Sequence, residues 1–260
     1  MNVQVFIFNW RRQYEKTKEK ERQFAEQLPG VKVTVINSDE EHEEEGWVNL
    51  GEKAYFSELM SKAVELFDGD VMWHIQADAS YDDWSKILDA AKEAFKKYNW
   101  GVFAPNVDYT WYDSSRTDIN DMRFEDSKLK FVACTDCTCW MMHKDIISDY
   151  KSSNVDMRKY PIGWGWDIIF PSFSILRGRP VIRDYSQTVH HPRSSNYDHT
   201  NAENEMQQLY NSLPENLRFL FYVLKAERSL VPQIFAKFTD QNIAIQPKES
   251  DKSVFRYNTF

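Results

Sequence analysis

The chain has 260 residues, 42% hydrophobic and 15% aromatic, with a formal net charge of −8. That is ample material for a packed core and excludes an intrinsically disordered chain. The acidic balance argues against gripping nucleic acid over the whole surface, and no run approaches the roughly 18 apolar residues of a membrane span.

The N-terminus, MNVQVFIFNWRR, lacks a basic segment followed by a long apolar stretch, so a cytoplasmic location is expected. Residues 3–8 (VQVFIF) predict a buried strand that stops at Asn9-Trp10. A polar, helix-prone stretch follows until Pro29-Gly30, and 31–36 (VKVTVI) predicts a second strand ending at Asn37-Ser38-Asp39. The run DEEHEEE at 39–45 reads as a solvated loop, with calcium or partner binding as the lesser alternative. Phe56, Leu59, Met60, Ala63, Val64 and Phe67 share one helical face over 55–67.

Residues 71–78 (VMWHIQAD) predict a third strand ending in a carboxylate. The stripe Trp84, Ile87, Leu88, Ala91 and Phe95 predicts a helix over about 82–97, and GVFAP at 101–105 a further strand. Strands alternating with helices imply an α/β fold with a mostly parallel sheet covered on both faces. Residues 106–130 look like a long polar excursion, of the kind that is usually functional in a compact domain. β-like character resumes at KFVACTDCTCWMMH, and 180–186 (PVIRDYS) predicts a last strand. From about 200 to 228 the chain reads as helix broken at Pro214, and the tail from about 240 is polar.

Open α/β sheets collect ligands at the carboxyl ends of their parallel strands. Asn9, then Asn37 to Asp39, then Gln76-Ala77-Asp78 fall at three such ends. Asp78 could hold Mg²⁺ or Mn²⁺ against diphosphate oxygens, or could simply cap the next helix. In GWGWD at 163–167, glycine allows tight backbone geometry, and tryptophan beside a carboxylate raises its pKa, as a general base near neutral pH requires. An aromatic-rich structural turn is the alternative. His190 and His191 begin the loop HHPRSSNYD, where an imidazole could complete a metal shell. Cys134, Cys137 and Cys139, with His143 nearby, match no standard zinc spacing, so small packing residues are expected.

In these motifs the chain resembles the GT-A-fold glycosyltransferases, in the broad family 2-like inverting group, over residues 3–200. QAD at 76–78 matches the position of the family's D-x-D motif, although Gln76 replaces its first acid. WVNLGEKAYF at 47–56 is similar to the N-x-G segment, GWGWD to the G-W-G-x-[ED] acceptor and base motif, and HHPRSSNYD to the His-Pro loop. The resemblance implies a Rossmann-like αβα sandwich over 1–200, with a C-terminal helical extension at 201–260 packed on it. It implies a nucleotide-diphosphate sugar donor, by default a UDP-sugar, bound by Asn9, Asn37, Asp39, Asn49, Gln76 and Asp78. Metal ligation by Asp78 and His191 follows, His190 being second choice, with Mn²⁺ or Mg²⁺ as the ion. Asp167 becomes the catalytic base, and Trp164, Gly165 and Trp166 the acceptor wall. The acceptor would be a glycan or another hydroxyl-bearing polymer.

Modified viral DNA is a minority acceptor, for which Arg116, Arg123, Arg158 and Arg193 could supply a basic groove. Two other readings are a catalytically silent GT-A domain and a sugar-nucleotide nucleotidyltransferase. The first is favoured by Gln76, and the second is disfavoured because no glycine-rich phosphate loop opens the chain.

Overall fold

The computed structural model describes residues 1–110, 112–192, 198–240 and 243–245. A ten-stranded sheet runs through it in the order β10-β6-β7-β9-β5-β8-β4-β1-β2-β3. The strands are β1 (Val3–Asn9), β2 (Lys32–Asn37), β3 (Val48–Asn49), β4 (Val71–Gln76), β5 (Val102–Val107), β6 (Asp118–Arg123), β7 (Leu129–Val132), β8 (Cys139–His143), β9 (Val181–Val189) and β10 (Ala244–Ile245). β1 pairs in parallel with both β2 and β4, and β5 in parallel with β9. β8 is inserted antiparallel between β4 and β5, and β7 and β10 also run against the common direction. Every residue of β1 is buried, as a central strand covered on both faces requires.

The helices are α1 (Tyr14–Gln27), α2 (Phe56–Leu66), α3 (Trp84–Tyr98), α4 (Ser114–Thr117), α5 (Lys144–Ser152), α6 (Trp166–Leu176), α7 (His199–Ser212), α8 (Glu215–Ala226) and α9 (Val231–Phe235). α3 buries the stripe its spacing predicts, and Asn99 ends it in the left-handed conformation at φ 46°. In α1 only Thr17, Lys20 and Phe24 face inward, so a highly charged helix still presents one buried ridge to the sheet.

Two parts differ from expectation. The excursion at 106–130 is not all loop, since β6 and β7 form an antiparallel extension of the sheet beyond β9. Where the motif GWGWD ends, α6 begins, and all ten residues from Trp166 to Ile175 are buried. The C-terminal helices share the main core, with Leu209, Leu217, Phe221, Val231 and Phe235 in the same apolar cluster as β1 and β4.

β9 carries an irregularity that matters below. Its pairing with β5 advances in step to Pro105↔Asp184, then resumes at Asn106↔Thr188, so three residues of β9 are looped out.

Candidate active site

The carboxyl ends of β1, β2 and β3 are tied by asparagines. The Asn9 side-chain amide donates to Asn37 Oδ1 at 2.7 Å, and Thr17 Oγ1 donates to Asn9 Oδ1 at 2.7 Å. Asn37 in turn donates to Asn49 Oδ1 at 2.8 Å and to the carbonyl of Asp39. Asn9 and Asn37 are 0% and 1% exposed, so they cannot touch a ligand and instead shape the strand-end loops. Asn49 keeps an exposed surface. The Asp39 carboxylate is buried and receives the Glu41 N–H and the His42 ring. Asp39, Glu41 and His42 gather their ligand atoms within 4.8 Å of one another, the last two exposed.

Asp78 lies just past the end of β4, at 8% exposure. An isolated antiparallel bridge joins Ser80 to His190, with N–H···O distances of 2.9 Å in both directions. Asp108 reinforces it by accepting the His191 N–H at 2.9 Å and pairing with the His190 ring. Successive residues of an extended chain point to opposite sides. His190 therefore faces outward, while His191 turns inward and brings Nε2 to 3.5 Å from Asp78 Oδ1.

Asp78 Oδ1 and His191 Nδ1 are buried, and neither has a hydrogen-bond partner. Buried polar atoms of this kind are rare. A carboxylate oxygen and an imidazole are also what a Mn²⁺- or Mg²⁺-binding site offers, so the residues present fit a divalent cation. Burial raises the Asp78 carboxyl, and the nearby charges of His191, Lys16 and Lys20 oppose that rise. Gln76 is half-buried, and its backbone N–H is held by the Thr138 carbonyl at 2.8 Å.

Sequence reasoning missed Lys20, an amine 4% exposed on α1 whose Nζ donates to the Ala77 carbonyl at 2.6 Å. Burial pulls it down to about 8 against the attraction of Asp78. It looked like any other lysine in EKTKEKER, and only its place on the inward ridge with Thr17 and Phe24 distinguishes it.

Asp167 sits in the first turn of α6, 5% exposed. Gly165 donates its N–H to Oδ1 at 3.0 Å, and the Tyr112 hydroxyl donates to Oδ2. Burial raises the carboxyl, with the Tyr112 hydrogen bond the largest opposing effect. Tyr112 is another residue the sequence did not single out. The 133–138 loop connects the two halves of the site. Asp136 raises the Asp167 carboxyl by repulsion and accepts the Thr138 N–H at 2.8 Å and the Thr110 hydroxyl at 2.6 Å, while the Thr138 carbonyl accepts the Gln76 N–H at the end of β4.

The two glycines of the motif have distinct reasons. Gly165 adopts φ 112°, and a Cβ there would lie 2.5 Å from Leu209 Cδ2. Gly163 adopts φ 89°, and its Cβ would lie 2.7 Å from Phe56. The tryptophans divide. Trp164 is half-buried against His199, whereas Trp166 is 0% exposed, donates to Ser57 Oγ at 3.0 Å and packs on Tyr150 and Phe170. Trp166 is therefore a core residue and cannot wall an acceptor cleft.

The thiols are buried or half-buried, and burial pushes all three up, Cys139 to about 12. Among the described residues they form no metal cluster with His143, which instead caps α5 and stacks on Phe95. Arg116 and Arg158 are paired locally with Asp113 and Asp156, and Arg193 lies outside the described residues. Among the described residues no helix is long and apolar enough to cross a membrane.

The sequence matches no family model and no curated protein. Solved structures do match. TarS 1–349 of S. aureus, in complex with UDP-GlcNAc, is similar at TM-score 0.55 and 11% identity over 92% of this chain and 71% of that one. GalNAc-T7 with UDP, GalNAc and Mn²⁺ is similar at TM-score 0.61 and 10% identity, and this chain spans about half (54%) of its length. The mannosyltransferase PcManGT from Pyrobaculum calidifontis, with GDP-Man and Mn²⁺, is similar at TM-score 0.56 and 12% identity, over 91% of this chain and 73% of that one. The fold is that of the GT-A glycosyltransferases.

Proposed function

We propose that this chain is a nucleotide-sugar-dependent glycosyltransferase, with Asp78 and His191 holding a divalent cation and Asp167 acting as general base. The observation that carries the reading is the convergence of Asp78 and His191, from distant parts of the chain, which brings His191 Nε2 to 3.5 Å from Asp78 Oδ1, a buried oxygen without a hydrogen bond at the carboxyl end of a parallel strand. The structural neighbours were solved with UDP-GlcNAc, with UDP and Mn²⁺, and with GDP-Man and Mn²⁺, which supports a nucleotide-diphosphate sugar and Mn²⁺ or Mg²⁺ here. We take a UDP-sugar as the first donor to test.

The chemistry such a cation supplies is neutralisation of charge on the leaving diphosphate. Lys20 adds a fixed positive charge beneath Asp78. Asp167 accepts the proton of the acceptor hydroxyl as its oxygen attacks the anomeric carbon and the bond to the diphosphate breaks, which inverts that centre. Burial is what makes this carboxylate a stronger base than an exposed one. Asn49 and the loop backbones held by Asn9, Asn37 and Asp39 border the nucleotide, and Trp164 with the Gly165 backbone borders a glycan or other hydroxyl-bearing acceptor.

A thermal-shift screen of UDP and GDP with Mn²⁺ or Mg²⁺, followed by donor turnover, tests the reading. Asp167→Asn should bind donor normally and lose turnover by about 100- to 10,000-fold. Unchanged turnover would remove Asp167 from the chemistry.

A further inference from the structure

Arg183 stands in the middle of β9, between Ala104 of β5 and Lys130 of β7, and is 2% exposed. A guanidinium desolvated this deeply needs strong partners. Its partners are neutral oxygens, with Nη1 donating to the Tyr112 carbonyl at 2.7 Å and to the Tyr185 hydroxyl at 3.4 Å. Tyr185 hands its own proton to Asp118 Oδ1 at 2.8 Å. The Tyr112 N–H is also fixed, by Thr110 Oγ1 at 3.0 Å. With its main chain held at both ends, Tyr112 delivers its hydroxyl to Asp167 Oδ2.

Building on the assignment of Asp167 as base, we propose that Arg183 and Tyr112 form a brace that positions this carboxylate toward the acceptor hydroxyl. Gly165 N–H on Oδ1, Tyr112 O–H on Oδ2 and the residue's own backbone N–H together fix the rotation of the carboxyl group. Three donors do not exhaust the roughly four lone-pair positions of a carboxylate, so an acceptor hydroxyl can still approach. The other groups facing Asp167 do not fix it. The Cys134 and Cys137 thiols are protonated, Asp136 disfavours the anion, and Lys225 of α8 favours it only through space. Burial, already the largest influence, favours the neutral acid, and removing Tyr112 takes away its strongest opposition.

The test is a ¹³C-carboxylate NMR titration of Asp167 in the full chain, assigned with Asp167→Asn. Tyr112→Phe should move the titration upward by about one unit. Arg183→Met should move it the same way, Arg183→Lys should recover part of the change, and the acid limb of donor turnover should follow with KM for donor unchanged. Because Arg183 is buried, Tyr112→Phe is the decisive variant if Arg183→Met does not fold. A folded Tyr112→Phe protein whose Asp167 titrates as in the parent overturns the brace. A shifted titration in a chain that neither binds UDP with Mn²⁺ nor turns over donor upholds the brace and sinks the base assignment alone.

Discussion

His191 Nε2 stands 3.5 Å from Asp78 Oδ1, and what holds it there is backbone, the Ser80–His190 bridge. The pair is thus preorganised before any ligand arrives. A ligand at a hundred times its dissociation constant stabilises a protein by about 2.7 kcal/mol. The stabilisation by UDP with Mn²⁺ should be present in the parent chain and absent in Asp78→Asn, read by scanning calorimetry. An undiminished shift in that variant would place the cation elsewhere.

The opposite facing of the two histidines gives a sharper comparison. His190→Ala should leave Mn²⁺ binding nearly unchanged, because its ring is exposed and meets Asp108. His191→Ala should weaken Mn²⁺ binding far more, and Asp108→Ala should weaken it by about 10- to 100-fold by loosening the loop. Isothermal titration with MnCl₂ in the presence of UDP measures all three. Equal losses for the two histidines would contradict the geometry.

Gly165 is held at φ 112° under Leu209 and Phe221. Gly165→Ala must strain the backbone and push the Leu209 side chain aside, at a cost of about 1–3 kcal/mol. A lowered midpoint in denaturant unfolding is the expected result. Since the same residue donates to Asp167, turnover should fall further than the stability loss alone explains.

Acid should destabilise the fold through His74, which is 0% exposed between Phe8 and Phe56. Burial depresses it to about 3, from an ordinary value of 6.5. Between those values the unfolded chain binds a proton that the folded chain refuses, so stability falls as pH drops through this window. His74→Leu should shrink the difference in unfolding free energy between pH 7 and pH 4 by about 3 kcal/mol. His143, depressed to about 4 by burial, leaves a smaller acid dependence behind.

The strand-end polar residues and their order were legible in the sequence because each closes an otherwise apolar run. α6 was not, since WDIIFPSFSIL is apolar all round and contains Pro171, so it shows neither stripe nor propensity. The same lack of a stripe hides the core role of Trp166. Two tryptophans separated by one glycine look alike in sequence, but the second starts a buried helix and points into it. β6 escaped notice because Asp118 is buried within it, which makes sense only once the Tyr185 hydroxyl is seen to satisfy it. Tyr112 and Arg183 gain meaning only through partners distant in the chain, which no local pattern encodes.

One strand serves both ends of the proposed centre: Arg183, in the first half of β9, donates to the Tyr112 carbonyl, and the far end of β9 leads into His190 and His191. The three looped-out residues between those halves, which include Gln187 against the Tyr81 hydroxyl, decouple their registers. An insertion or deletion after Tyr185 in that loop can move the histidine while Arg183 keeps the Tyr112 carbonyl and the Tyr185 hydroxyl. Anywhere else along β9, a shift of one position would invert the strand and carry both groups to the wrong face together.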